Sequence, residues 1–315
     1  MNNPRMTSLG LIASKNSHDE MLWLLSFINA DGEPYQRGKL YDVVWFFDLT
    51  QEIKFIKRNT TSKIFAVAPE PKSMWPLNYD PDLIDLCDYY LGYENFSSTR
   101  FTGVYQKFFF FASTLSDIRK TFIESIEKER DVDFCIFARH DPNIRTLIAE
   151  HLKGENSIIA GPLFDNPQTS KTDIQVRCKY EFITENERND YYLSEKIYQS
   201  LMCGTVPIYY GCRKVKEIIP PELFIDFGDF MVDDFSDAIS SIIKYCKSDD
   251  NYLFHSSAIK KKALPFLESF ASIESSMTNI LNEYLYDLEK NNFTALKINP
   301  LFNFAKSIKH FLKRL

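Results

Sequence analysis

The chain has 315 residues, 44% hydrophobic and 25% charged, which is the composition of a globular protein and not of a disordered one. Its length exceeds what one hydrophobic core usually organises, so two domains are expected. A formal net charge of -6 speaks against broad nucleic-acid binding, and only 10 glycines speak against long Gly-rich phosphate loops. Bound phosphate would have to be held by side chains and helix ends.

In chain order, Ser8 to Ala13 reads as a strand and His18 to Asn29 as an amphipathic helix with Met21, Leu24, Leu25 and Ile28 on one side. Asp42 to Phe47 is a buried strand, Gln51 to Arg58 a helix, and Ile64 to Ala68 and Asp88 to Gly92 further strands. A helix from Asp117 to Glu129 leads to the strand Asp133 to Ala138, the helix Asn143 to Leu152 and the strand Tyr180 to Thr184. The helix Ser194 to Cys203 and the strands Val206 to Tyr209 and Leu223 to Asp226 follow, then the helix Asp234 to Cys246. Short apolar strands alternating with helices predict parallel α/β sheets, here in two Rossmann-like halves. We assign residues 1–120 to a first lobe, 121–290 to a second and 291–315 to a basic tail.

Six scattered cysteines show no metal-ligand spacing and read as reduced core residues. Leu9 to Ala13 is too short for a signal or membrane segment, so a cytoplasmic protein is expected, and the three N-x-S/T sequons, at Asn59, Asn95 and Asn292, read as chance. The five histidines show no ligand spacing either, so no catalytic metal and no tightly bound cofactor are expected. Asp80-Pro81-Asp82 and Asp131-Val132-Asp133 carry DxD spacing, a frequent chance pattern. In the tail, Leu301, Phe302, Ala305, Ile308, Phe311 and Leu312 alternate with cations. Such a helix suits peripheral contact with an anionic membrane face, or packing on the first lobe.

The chemistry concentrates between Tyr180 and Gly211, YEFITENERNDYYLSEKIYQSLMCGTVPIYYG. It reads as strand, polar loop, helix, tight turn and strand, with Ser194 as N-cap and Glu195 and Lys196 in the first helical turn. Ligands of open α/β sheets sit at the carboxyl ends of strands, and a helix start suits a diphosphate. Lys196 adds a point charge there, Glu195 can accept hydrogen bonds from hydroxyls, and Gly204 closes the helix.

This string resembles the donor-binding motif of the α-1,3-fucosyltransferases, bacterial type. Tyr180, Glu185-Asn186, Tyr192, Glu195-Lys196, Gly204, Pro207 and Gly211 fall at matching spacings, with Ser194 where the family usually has Thr. Two weaker likenesses extend it. Phe134 to Leu152 resembles the family's strand, loop and helix that place an arginine on the donor phosphates, here Arg145, with Arg139 as the alternative. Lys63 to Trp75 resembles the strand leading to an acceptor-side glutamate, here Glu70 between Pro69 and Pro71, with Glu94 as competitor.

The resemblance implies a GT-B fold, two Rossmann-like lobes with the active site in the cleft. It implies inverting transfer of L-fucose from GDP-fucose to a glycan hydroxyl, with α-1,3 linkage on Lewis-type acceptors as the family default. Glu70 would be the catalytic base, and Arg145, Asn186, Tyr192, Glu195 and Lys196 would bind the donor. On this reading Lys196→Ala cripples transfer while leaving the fold intact. Another nucleotide sugar, or a non-catalytic glycan- or nucleotide-binding protein, are the alternatives.

Overall fold

The structure is a computed structural model that describes residues 9–13, 32–41, 43–60, 62–68, 72–92, 114–140, 143–166, 170–232 and 234–271. Glu70, Glu94, the expected helix His18 to Asn29 and the tail from residue 291 lie outside the described residues. Two compact units divide near residue 108.

The first unit holds β1 (Leu9–Ala13), β2 (Gly32–Pro34), β3 (Val43–Phe47), α1 (Glu52–Asn59), β4 (Lys63–Val67), α2 (Pro81–Ile84) and β5 (Tyr89–Leu91). All strand pairs are parallel, in the order β2-β1-β3-β4-β5. The runs VVWFF and KIFAV carry apolar residues at nearly every position because a parallel sheet is covered on both faces. Val44, Phe46, Ile64 and Ala66 are fully buried against Ile53 and Ile56 of α1. The opposite side of α1 is charged, and Arg37 grips its first residue, Glu52, through two 2.9 Å hydrogen bonds.

The second unit runs α3 (Leu115–Ser125), β6 (Val132–Phe137), α4 (Ile144–Leu152), β7 (Ser157–Ala160), α5 (Lys171–Gln175), β8 (Cys178–Thr184), α6 (Lys196–Met202), β9 (Val206–Tyr210), α7 (Val215–Ile218), β10 (Ile225–Asp226), α8 (Phe235–Cys246) and α9 (Asp249–Phe266). Its sheet is also parallel, in the order β10-β9-β8-β6-β7. Numbered within its own lobe, each sheet therefore has the order 2-1-3-4-5. In that order the chain reverses direction across the sheet between the first and third strands, and the crevice at their carboxyl ends is where open α/β sheets bind ligands.

Side chains alternate along β8 as a strand requires. On one face Tyr180 stacks with Phe134, and Phe182 packs against Phe134 at a tilt. Glu181 faces the other side, where Gln175 donates to it at 2.7 Å and Lys171 pairs with it at 3.2 Å. At the amino end of the sheet Arg130 donates to the carbonyls of Ser125, Gln175, Cys178 and Cys203, and so ties three helix ends to β8. Gly204 closes α6 as expected: its φ is +71°, and a Cβ there would lie 2.7 Å from the Arg130 guanidinium.

Six described elements escape the sequence reading, among them α2, α5 and α7, which have only four or five residues each. β2 and β7 have three and four residues, too few for a periodicity. α9 lacks an apolar stripe and carries Pro265 within it. All six cysteines are free and buried. No described helix is long and apolar enough to cross a membrane.

Candidate active site

The site of the second lobe is built outward from the end of β8. Glu185 directly follows the strand, and its N–H donates to the carbonyl of Tyr210, the last residue of β9, at 3.0 Å. The loop then folds on Asn189, whose Oδ1 accepts the N–H groups of Tyr191 and Tyr192 at 2.9 and 2.6 Å. That local turn is a habit of asparagine, and it brings the chain back over Glu185.

The Glu185 carboxylate, with no side-chain exposure, accepts from the Ser194 N–H at 2.9 Å, the Ser194 hydroxyl at 2.7 Å and the Lys196 ammonium at 2.9 Å. The Tyr209 hydroxyl lies 3.3 Å from it. Lys196 also donates to Ser194 Oγ at 2.7 Å, and a quarter of its side chain remains exposed. Burial pushes the Glu185 pKa up, but Lys196 and the two Ser194 donors outweigh it and hold the carboxyl below its ordinary value. Burial likewise disfavours the charged Lys196, and the Glu185 carboxylate reverses this, so its pKa is raised. Both directions describe one fully charged pair. Gly211 makes room for it, since a Cβ there would meet Glu185 Cγ at 2.4 Å and the Tyr209 hydroxyl at 2.6 Å.

Arg145 projects from the first turn of α4, only 3% exposed. Its Nε donates to Thr184 Oγ1 at 2.6 Å, Nη1 to the His140 carbonyl at 2.9 Å, and Nη2 to the Thr184 carbonyl at 2.8 Å and Asn186 Oδ1 at 3.1 Å. It thereby joins the loop after β6 to the end of β8, across the switch point of this sheet. Its positive charge is felt at Lys196, where it opposes the pull of Glu185. Arg139, the alternative, is exposed.

Of the expected donor residues, Arg145, Asn186 and Lys196 thus meet in one place. Tyr192 is buried at 4% exposure, and Glu195 is half-buried at the boundary of α6. The helix start is corrected: α6 begins at Lys196, not Ser194, and has seven residues. Ser194 does not cap it strongly, because its hydroxyl is engaged by Glu185 and the Lys196 ammonium and receives the Lys196 N–H only at 3.5 Å. The sequence reading missed Glu185 as counter-ion. The residue stands in the motif, but its partner lies eleven positions on. Among the described residues no cluster of His, Cys, Asp and Glu is placed to hold a metal ion.

Two parallel Rossmann-like lobes define the GT-B class of glycosyltransferase folds. Solved structures share it. An α1,3-fucosyltransferase crystallised with GDP-fucose is 16% identical with a TM-score of 0.55, the match covering 85% of this chain and 91% of that one. The Anabaena protein HepE in complex with UDP and glucose is 10% identical with a TM-score of 0.54, over 89% of this chain and 99% of that one. Residues 119–272 match the family model for glycosyltransferase family 10 (fucosyltransferase), C-terminal part. An α-(1,4)-fucosyltransferase of Arabidopsis thaliana is 36% identical over 52 residues, which span 16% of this chain and 13% of that protein.

Proposed function

We propose that the protein is an inverting fucosyltransferase that moves L-fucose from GDP-fucose to a hydroxyl of a glycan acceptor. The observation that carries this reading is Lys196, held by the buried Glu185 beside Arg145 at the switch point of a lobe that matches the family 10 model. Two protons of the ammonium go to Glu185 and Ser194, and a diphosphate oxygen can take the third. As the bond from the anomeric carbon to GDP breaks, negative charge grows on the departing phosphate. Lys196 and Arg145, already fixed in place, stabilise that charge without reorganising. Side chains carry this task because α6 is too short to supply much of a dipole.

The acceptor hydroxyl attacks the anomeric carbon on the face opposite the leaving GDP, so the configuration inverts. Glu70 takes the hydroxyl proton as general base. The first lobe receives the acceptor, with α-1,3 transfer to a Lewis-type β-galactosyl-N-acetylglucosamine as the default. A second reading, transfer from a UDP-sugar, is favoured by the likeness to the UDP-bound HepE fold.

GDP release from GDP-fucose, measured with a panel of β-galactoside and N-acetylglucosamine acceptors, tests the proposal. Acceptor-dependent release that disappears in Glu70→Ala is the expected result. No release with any acceptor, together with release from a UDP-sugar, would replace it with the second reading.

A further inference from the structure

Asp48 has a φ of +68° and is 2% exposed. A non-glycine residue enters that region rarely and under strain, so its presence in a buried turn asks for a compensating role. Its surroundings show one. The Asp48 carboxylate accepts from Asn78 Nδ2 at 2.7 Å. Asn78 Oδ1 in turn accepts the Leu49 N–H at 2.7 Å, and its carbonyl accepts the Tyr90 hydroxyl. Trp75 Nε1 donates to the Leu49 carbonyl at 2.8 Å. The turn at Asp48 and Leu49 therefore fastens the segment from Trp75 to Asn78 onto the carboxyl end of β3. That end borders the switch point of the first sheet, between β1 and β3.

The second lobe repeats the device. Asp48 directly follows the third strand of its lobe, and its N–H donates at 2.9 Å to the carbonyl of Val67, the last residue of the fourth. Glu185 directly follows the third strand of the second lobe and makes the same bond to Tyr210. The registers agree, Phe47 opposite Val67 and Thr184 opposite Tyr210. Both carboxylates are buried, and each accepts from a segment further along its own lobe.

We infer that Asp48 is the first-lobe counterpart of Glu185, a positioning carboxylate that sets the acceptor-side surface of that lobe. The inference rests on the proposal that the first lobe receives the acceptor. Asparagine has the shape of aspartate and tolerates the same left-handed backbone, so Asp48→Asn keeps the turn and removes the charge. A charge-assisted hydrogen bond is roughly twice as strong as a neutral one, so the clamp on Asn78 loosens.

The test compares wild type, Asp48→Asn and Asp48→Gly, the last suited to the backbone angle and lacking the carboxylate. Melting temperature, stabilisation by GDP, and the acceptor KM in GDP release are measured for each. Both variants are expected to be stabilised by GDP like wild type while the acceptor KM rises on the order of tenfold, about the loss of one such hydrogen bond. An unchanged acceptor KM in either folded variant would show that Asp48 only makes a turn. Equal loss of GDP stabilisation would show general damage and also overturn the inference. Wild type without acceptor-dependent release would overturn the transferase reading, and this inference with it.

Discussion

The two lobes share one strand order and one acidic position, yet they use it differently. After β8, Glu185 meets an ammonium and a hydroxyl, and its buried charge is neutralised by a lysine that remains a quarter exposed. After β3, Asp48 meets the amide of Asn78. The first pairing holds a cation in place at the switch point, suited to a diphosphate. The second fixes a turn through Asn78. A carboxylate at this position is thus a device for holding neighbouring chain, and its partner decides what the surface can bind.

Removing the cation should break the comparison most severely. Lys196→Ala leaves Glu185 buried without a counter-charge, so the variant is expected to be destabilised. Loss of one partner of a buried pair costs about 3–5 kcal/mol, and the low end applies because Lys196 is partly exposed. Denaturant unfolding of the variant should show that loss, and adding Glu185→Gln should recover part of it. A variant as stable as wild type would mean the pair contributes nothing to the lobe.

Acid should sharpen the same contrast by a smaller amount. The folded pKa of Glu185 is depressed, so its stabilisation is fully present above the ordinary glutamate value of about 4.3 and is lost as pH falls through the lowered folded value. Lys196 has a raised pKa, so its share is lost only as pH rises beyond the ordinary lysine value of about 10.4. The stability gap between wild type and Glu185→Gln should therefore be constant near neutrality and narrow below about pH 4. A gap independent of pH across the acid range would contradict the charged pair. The smallest effect on stability is that of Asp48→Asn, which weakens one buried hydrogen bond and should lower the melting temperature modestly while it changes acceptor affinity.

Most of the second lobe was legible in the sequence because its strands are long apolar runs and its motif is dense in polar residues of fixed spacing. The strand–loop–helix–strand order from Tyr180 to Gly211 emerges with only its helix start displaced, and Arg145 lies near enough to Lys196 for its charge to act there. The displaced start has a physical cause. A serine before a helix usually serves the backbone, but here a buried carboxylate and an ammonium compete for its hydroxyl and win. The partnerships of Glu185 and Asp48 were not legible, since hydrogen bonds across nine and thirty positions leave no local pattern. α9 stayed hidden for a related reason. Only His255, Ile259 and Ala263 of that helix are buried, so polar residues mask its period.

The most direct test of the central claim is the thermal stabilisation of the protein by GDP, set beside UDP and repeated in Lys196→Ala. Ligand that binds only the folded state stabilises it by about 2.7 kcal/mol at a hundred times its Kd. We expect a saturable rise in melting temperature with GDP, a much smaller one with UDP, and none with GDP in the variant. A GDP shift that survives unchanged in Lys196→Ala, or no shift in wild type at millimolar GDP, would contradict a donor site built on Lys196, Glu185 and Arg145.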